Sequence, residues 1–514
     1  MTFRLHRSTR LVPLLAAILT LASCGGGGDD PPATAANAGP EKAQAVFTPA
    51  GAIPADANVR GVWSEVFPWP LIAVHAVLMP DGRMMTYGTD GTGRQTGNFI
   101  YDVWDPEQGL NAGHLTLPNA TATDIFCSSQ LVLPNGDAVF VAGGDNWTGT
   151  GTTNTGNNNS NLFSVSGNSL TRGNNMNRPR WYSSSTTLLN GDTYIQGGSG
   201  GTDFPEVRQA DGSFRLLTGA NTSAFDFMYP RNFVAADGRV FGYDSAGRMY
   251  YVNTVGSGAV STQGQFGAAY TGSDASAAMF RPGRILQFGG NSAGALVIDI
   301  RNGAPVVTPT QSMSSQRRLV TATLLADGKV LATGGSRTWN QLDQVNNSAE
   351  IWNPDTGTWS VGASGVQARL YHSTALLMPD ATVMVMGGGA PGPQNNLNAE
   401  LYYPPYLFTA GGTMAERLAI TSAPTVLDIG RTYGVDISGS ATPARVVLVK
   451  TGSVTHSWNM EQRFIELTFT RSGNHLNVQA PTRAGDAPPG FYMLFVIDSA
   501  GVPSVAKMMR LNVA

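Results

Sequence analysis

The groups able to do chemistry are few in this chain, and several share one kind of setting. Arg369-Leu370-Tyr371-His372-Ser373 places a phenol and an imidazole side by side, ahead of an apolar run that ends in Gly387-Gly388-Gly389. Cys127 and Tyr182 also open apolar runs that end in glycine pairs. The chain has six histidines and two cysteines, so each can be weighed singly. His75 lies inside an apolar run, and His114 and His475 lie in polar, turn-like contexts; all three read as structural. His456 sits in Thr451-Gly452-Ser453-Val454-Thr455-His456-Ser457 and reads as a surface residue unless that loop enters the place where the others meet. A buried cysteine is commonly just a small apolar residue, and any single tyrosine is most often packing. The combination of thiol, phenols and imidazoles is what needs a chemical explanation.

The elements that position these residues form a repeat. Seven segments share an apolar strand, a turn and a second strand usually ending in Gly-Gly. Their turns are Asp81-Gly82, Asn135-Gly136, Asn190-Gly191, Asp237-Gly238, Pro282-Gly283, Asp327-Gly328 and Pro379-Asp380-Ala381. The segment ends recur every 45 to 56 residues, the period of a kelch-type propeller blade. Asp-Gly and Asn-Gly supply the positive φ of a tight hairpin. Cys127, Tyr182 and His372 each lie nine residues before the last residue of their turn, and Tyr371 lies ten before. Residues at one phase on different blades point to one rim of the central channel. Leu319 and Ala73 at that phase are inert, and Asp274 and Tyr229 are ambiguous. The expected fold is all-β: a seven-bladed kelch-type propeller over 59–412, then a β-sandwich over 413–514. The latter rests on strands expected at 433–437, 445–449, 464–468, 476–480, 490–497 and 507–513.

Composition agrees with many short strands joined by turns: 62 Gly and 30 Pro, with no long stretch of helical period after the N-terminus. Charged residues make up 13% and the net charge is −3, which leaves no basic surface for nucleic acid. Arg4, Arg7 and Arg10 precede an apolar run, Leu11 to Ala22, that ends in Leu21-Ala22-Ser23-Cys24. Residues 1–23 read as an export signal, with Cys24 as the lipidated first residue of a bacterial lipoprotein; an ordinary cleaved signal peptide is the alternative. The expected location is a membrane surface facing the periplasm or the cell exterior, reached through the lipid alone. Residues 24–58, rich in Gly, Ala and Pro, read as a flexible tether. With Cys24 lipidated, Cys127 has no disulfide partner in an oxidising compartment.

Four motifs in order, Asp124-Ile125-Phe126-Cys127, Arg180-Trp181-Tyr182-Ser183-Ser184, Arg369-Leu370-Tyr371-His372-Ser373 and Thr455-His456-Ser457, together with Pro488-Pro489-Gly490-Phe491-Tyr492, resemble the copper radical oxidases, the group of galactose oxidase and glyoxal oxidase. The resemblance covers about 60–514. It implies that the second domain is an immunoglobulin-like, early-set sandwich whose loop threads the propeller channel and supplies a copper ligand. It further implies that His372 and His456 are equatorial copper ligands, that Tyr182 is a third and is joined by a thioether to Cys127, and that Tyr371 is axial. In galactose oxidase a tryptophan covers the thioether from the loop after this blade's glycine pair. Here that loop reads Gly197-Gly198-Ser199-Gly200-Gly201-Thr202-Asp203. The departure argues against galactose as substrate and for kinship with glyoxal-oxidase-like bacterial members.

The implied activity is oxidation of aldehydes or simple primary alcohols by O2, giving hydrogen peroxide. Imidazole and oxygen donors in a tetragonal site suit Cu(II). Copper moves one electron and the reaction needs two, so the Cys127–Tyr182 radical cofactor holds the second, with Tyr371 as general base. The expected partners are a small aldehyde or alcohol and O2, and a monomer is expected. The competing reading is a non-catalytic kelch propeller that binds glycans or proteins at the cell surface, since fold does not determine function.

Overall fold

Turn chemistry closes the repeat as the sequence requires. Gly136 and Gly191 adopt φ of +83° and +85°, a region open to glycine at little cost, and each joins two antiparallel strands. A computed structural model describes residues 44–512. The expected export signal, residues 1–23, and Cys24 lie outside the described residues.

Seven sheets follow one another between residues 62 and 403. Five have four antiparallel strands in sequence order, for example Trp181–Thr187, Thr193–Ser199, Glu206–Arg208 and Phe214–Leu216 in the third. The innermost strands are buried along their whole length, as in Ala73–Leu78 and Ser373–Leu377, whereas outer strands such as Val306–Thr310 are largely solvated. Innermost strands of successive sheets lie side by side, and Ser373–Leu377 of the seventh packs on Ala73–Leu78 of the first. This is the seven-bladed propeller. Its ring is closed by the N-terminal segment: Val62–Trp63 and Phe67–Pro68 pair with the seventh blade's strand Asn398–Tyr403. The stretch 44–56, expected as the end of a flexible tether, instead lies on the propeller. Phe47 stacks on Trp104 at 6.0 Å and donates its N–H to Asp380; an aromatic ring within an Ala/Pro stretch was enough to anchor it.

Three blades carry the same internal latch. Arg180, Arg317 and Arg369 precede the first strand of blades three, six and seven, and pair with Glu206, Glu350 and Glu400 on the third strand. Each arginine also donates to the carbonyl of the first glycine of its Gly-Gly pair, Gly197, Gly334 and Gly387. All six side chains are buried, so these are charges satisfied in place by hydrogen bonds. The glycine pairs let the blades approach: a Cβ on Gly143 would collide with the carbonyl of Arg180 on the next blade.

The C-terminal segment forms two facing sheets. One contains Ala419–Ser422, Thr432–Ser438, His475–Gln479 and Phe469–Ser472; the other contains Val426–Asp428, Lys507–Asn512, Gly490–Asp498, Pro443–Lys450 and Phe464–Leu467. Between them lies a core of Leu418, Val435, Val446, Leu448, Leu476, Leu494 and Leu511. The six strands expected here all correspond to observed ones. A hairpin, Ser453–Thr455 with Trp458–Asn459, leaves this sandwich and pairs with the first blade's innermost strand, His75 opposite Thr455.

Candidate metal and radical site

The rim phase has a backbone signature. Cys127, Tyr182, Tyr229, Leu319 and His372 all adopt φ between +43° and +73°, a left-handed conformation that L residues enter rarely and at a cost. Successive blades are joined there: Tyr182 N–H donates to Cys127 O at 2.9 Å, Tyr229 N–H to Tyr182 O at 2.8 Å, and Leu319 N–H to Asp274 O at 3.1 Å. The strain turns these side chains off their own strands.

His456 arrives from the other side. It forms, with Ser457, the two-residue turn of the inserted hairpin, at φ +48° and +64°. Such a turn normally asks for Asn or Gly, and neither is present. The hairpin is held by neighbours on several blades. Glu461 pairs with Lys450 and accepts from Thr187 N–H and Oγ1; Gln462 bridges Leu324 and Ala322; Arg463 donates to Val234 O; Ser276 Oγ donates to Ser457 O.

These elements bring together all five residues expected to form the site. The thiol of Cys127 and one ring nitrogen each of His372 and His456 lie within 4.8 Å of one another, all in buried residues. Tyr182 and Tyr371 share a hydroxyl–hydroxyl hydrogen bond of 2.6 Å. The Tyr182 ring packs edge-on against His456 at 5.1 Å, and Tyr371 stacks on His372 at 3.7 Å. His456 Nε2 lies 3.3 Å from Cys127 Sγ, and its Nδ1 is bonded to Thr455 Oγ1. His372 Nδ1 lies 2.8 Å from Gly389 O. A carbonyl only accepts, so Nδ1 carries the proton and Nε2 presents a lone pair. That Nε2 is buried without a hydrogen-bond partner.

Burial governs the protonation states. It depresses His372 to about 3, and it pushes His456 well below its ordinary value, with His372, His75 and Arg231 adding to the effect. Both imidazoles are therefore neutral near pH 7. Burial also raises Cys127, Tyr182 and Tyr371 above their ordinary values, so without a cation beside them thiol and phenols keep their protons.

Other residues enlarge the site. Tyr229, ambiguous by sequence, shares the rim phase and packs 4.8 Å from His456 and 5.2 Å from Tyr182. Phe126 packs edge-on against His372 at 5.2 Å. Two tryptophans flank the phenols: Trp181, 4.4 Å from Tyr182, and Trp339, 5.4 Å from Tyr371 and 42% exposed. Trp147 packs on Phe99 and Arg94. His114 and His475 pair with Asp102 and Asp436, away from the site.

Known proteins share this arrangement of domains. Residues 417–511 match the family profile described as "Galactose oxidase-like, Early set domain", and 321–365 match a Kelch motif. A galactose oxidase of Gibberella zeae is 29% identical over 497 residues, covering 88% of this chain and 71% of its own length. The aldehyde oxidase GLOX1 of Arabidopsis thaliana is 28% identical over 235 residues, 41% of this chain and 38% of its own. A solved structure described as a "novel fungal alcohol oxidase with catalytic diversity among the AA5 family, in complex with copper" aligns over 88% of this chain and 99% of its own, with a TM-score of 0.77 at 23% identity; it shares the fold. The sequence relatives, the early-set match and the kelch propeller together support the copper radical oxidase family for this chain.

Proposed function

We propose that this protein oxidises simple primary alcohols or aldehydes with O2, giving hydrogen peroxide, and that it does so at the rim where the propeller meets the inserted hairpin. The observation that carries the reading is the buried, unpartnered Nε2 of His372, facing a second neutral imidazole and two phenols. An orphaned buried acceptor is costly in a folded protein, and a metal ion would satisfy it. Neutral nitrogen donors together with phenol oxygens are a donor set that fits copper.

His372, His456, Tyr182 and Tyr371 would hold the ion. Copper bound there would supply a one-electron couple and a positive charge that lowers the pKa of nearby hydroxyls. The remaining roles fall to the chain. Cys127 and Tyr182 form a thioether: the S–H and an ortho C–H are lost, an S–C bond forms, and O2 takes the two electrons and two protons as hydrogen peroxide. Sulfur at the ortho carbon makes the phenol easier to oxidise, so Tyr182 holds the second oxidising equivalent and takes hydrogen from the substrate carbon. Tyr371 accepts the substrate hydroxyl proton. Buried surroundings keep water from the radical, and Trp181 and Trp339 flank the two phenols. The stretch 197–203 carries no aromatic side chain, and Phe204 at the end of that loop packs with Arg178; this speaks against galactose and for smaller substrates of the glyoxal-oxidase kind.

The test is the intact mass before and after copper loading in air. Loss of two hydrogens, absent in Cys127→Ser, together with peroxide from glycolaldehyde or methylglyoxal, is the expected result. An unchanged mass and no peroxide would sink the proposal. We also propose export and lipid attachment at Cys24; labelling of expressing cells with a fatty acid, abolished in Cys24→Ser, tests it.

A further inference from the structure

At the rim position that carries sulfur, the joint to the preceding blade runs through a side chain. Tyr182, Tyr229 and Leu319 each donate their N–H to the backbone carbonyl of the rim residue on the preceding blade. By that rule Cys127 would donate to Ala73 O. It donates instead to a side chain, His75 Nε2, at 3.0 Å, and Ala73 O takes the hydroxyl of Thr374.

The direction of every bond in this arrangement follows from its first donor. A backbone N–H only donates, so His75 Nε2 is the unprotonated nitrogen and Nδ1 carries the proton. Nδ1–H then donates to Gln130 Oε1 at 3.0 Å. That orients the Gln130 amide so that its Nε2–H donates to Val454 O, at 3.1 Å. His75 and Gln130 are fully buried, and the imidazole is clamped face to face on Tyr87 at 4.3 Å. Val454 lies two residues before His456, in the strand that pairs with the one carrying His75. One imidazole therefore ties together the sulfur-bearing residue, the first blade and the hairpin that delivers His456.

We propose that His75 is a positioning residue for the Cys127–Tyr182 thioether: by accepting the Cys127 N–H it holds that residue in its strained left-handed conformation with the sulfur turned to Tyr182, and through Gln130 it fixes the hairpin that carries His456. The proposal rests on the thioether reading above. A purely structural histidine would be replaceable by any ring of its size. A positioning histidine needs its acceptor atom.

The experiment compares wild type, His75→Phe, His75→Gln and Gln130→Met, each purified free of metal. Folding is checked by thermal unfolding, and the mass is followed in time after copper(II) is added in air. His75→Phe keeps the ring and removes the acceptor, so loss of the two hydrogens slows by about tenfold or more. Gln at 75 offers Oε1 where Nε2 stood, so His75→Gln cross-links faster than His75→Phe. Gln130→Met leaves the acceptor but frees the hairpin, so it releases copper to a chelator faster than wild type does. A folded His75→Phe that cross-links at the wild-type rate, or His75→Phe and His75→Gln slowed equally, overturns this proposal alone. Should His75→Phe not fold, His75→Gln cross-linking and Gln130→Met copper release both at wild-type rates would overturn it. A wild type that never loses the hydrogens overturns the thioether reading itself and this proposal with it.

Discussion

At the scale of single residues the site is a set of costs that a bound cation would offset. His372 gives up one nitrogen to Gly389 and leaves the other bare; the part-buried hydroxyls of Tyr182 and Tyr371 bond to each other at 2.6 Å. If Tyr371 takes the substrate proton, Tyr371→Phe lowers kcat by about 10²- to 10⁴-fold. Copper content should change little, because both imidazoles and Tyr182 remain; metal analysis alongside a peroxide assay checks both. The histidines also predict a pH dependence of the metal-free protein. Burial puts His75 and His372 at about 3 and moves His456 the same way. These folded values lie below the ~6.5 of an unfolded histidine. As pH falls below about 6.5 the unfolded chain takes up protons that the folded chain refuses, so stability is lost progressively down to about 3. Asp124, raised by burial to about 6, works in the opposite direction, as do Asp145 and Asp380, which burial also raises above the ordinary carboxylate range. Denaturant midpoints at pH 7 and pH 5.5 measure the balance: a lower midpoint at pH 5.5 is expected, and an equal or higher one contradicts it.

At the scale of elements, two devices position these residues. The Arg–Glu latches hold the segments that lead into the rim, and Arg369 is three residues from His372. Replacing one partner leaves the other charged and buried, so Glu400→Gln or Arg369→Met destabilises by about 3–5 kcal/mol, read from denaturant melts. The second device is the His456-Ser457 turn. Ser457 sits at φ +64°, which costs an L residue about 1–2 kcal/mol. Ser457→Gly relieves that strain against the extra unfolded-state entropy of glycine, and the melting midpoint is expected to rise slightly. A fall would mean that the serine side chain holds the turn. The rim phase was legible in the sequence because blade turns recur at a constant offset, ending in Gly in six blades and in Ala381 in the seventh, and that offset alone put Cys127, Tyr182 and His372 on one circle. Tyr229 has the same offset but stayed ambiguous, since a packed rim and a reactive one use the same residue type. The His456-Ser457 turn was not legible: neither residue signals positive φ, and only pairing with a distant strand imposes it.

At the scale of the molecule, the proposed function depends on joining two structures that are each ordinary alone. The propeller carries Cys127, Tyr182, Tyr371 and His372; the sandwich brings His456 to them through a hairpin that pairs with the first blade's innermost strand. Repeat period and turn spacing made the propeller and the sandwich strands readable. Ring closure by Val62–Trp63 and Phe67–Pro68 was not, because two-residue strands have no periodicity to detect and depend on Asn398–Tyr403 far along the chain. The packing of Phe47 on Trp104 escaped for the same reason. The central claim is that these two parts meet around one copper ion beside a Cys–Tyr cross-link. Anomalous diffraction at the copper edge, from crystals of the copper-loaded protein, tests it most directly. The account predicts one strong peak enclosed by His372 Nε2, His456 and the hydroxyls of Tyr182 and Tyr371, with continuous density between Cys127 Sγ and the Tyr182 ring. No peak at that rim, or a Cys127 sulfur clearly separate from the ring, would contradict it.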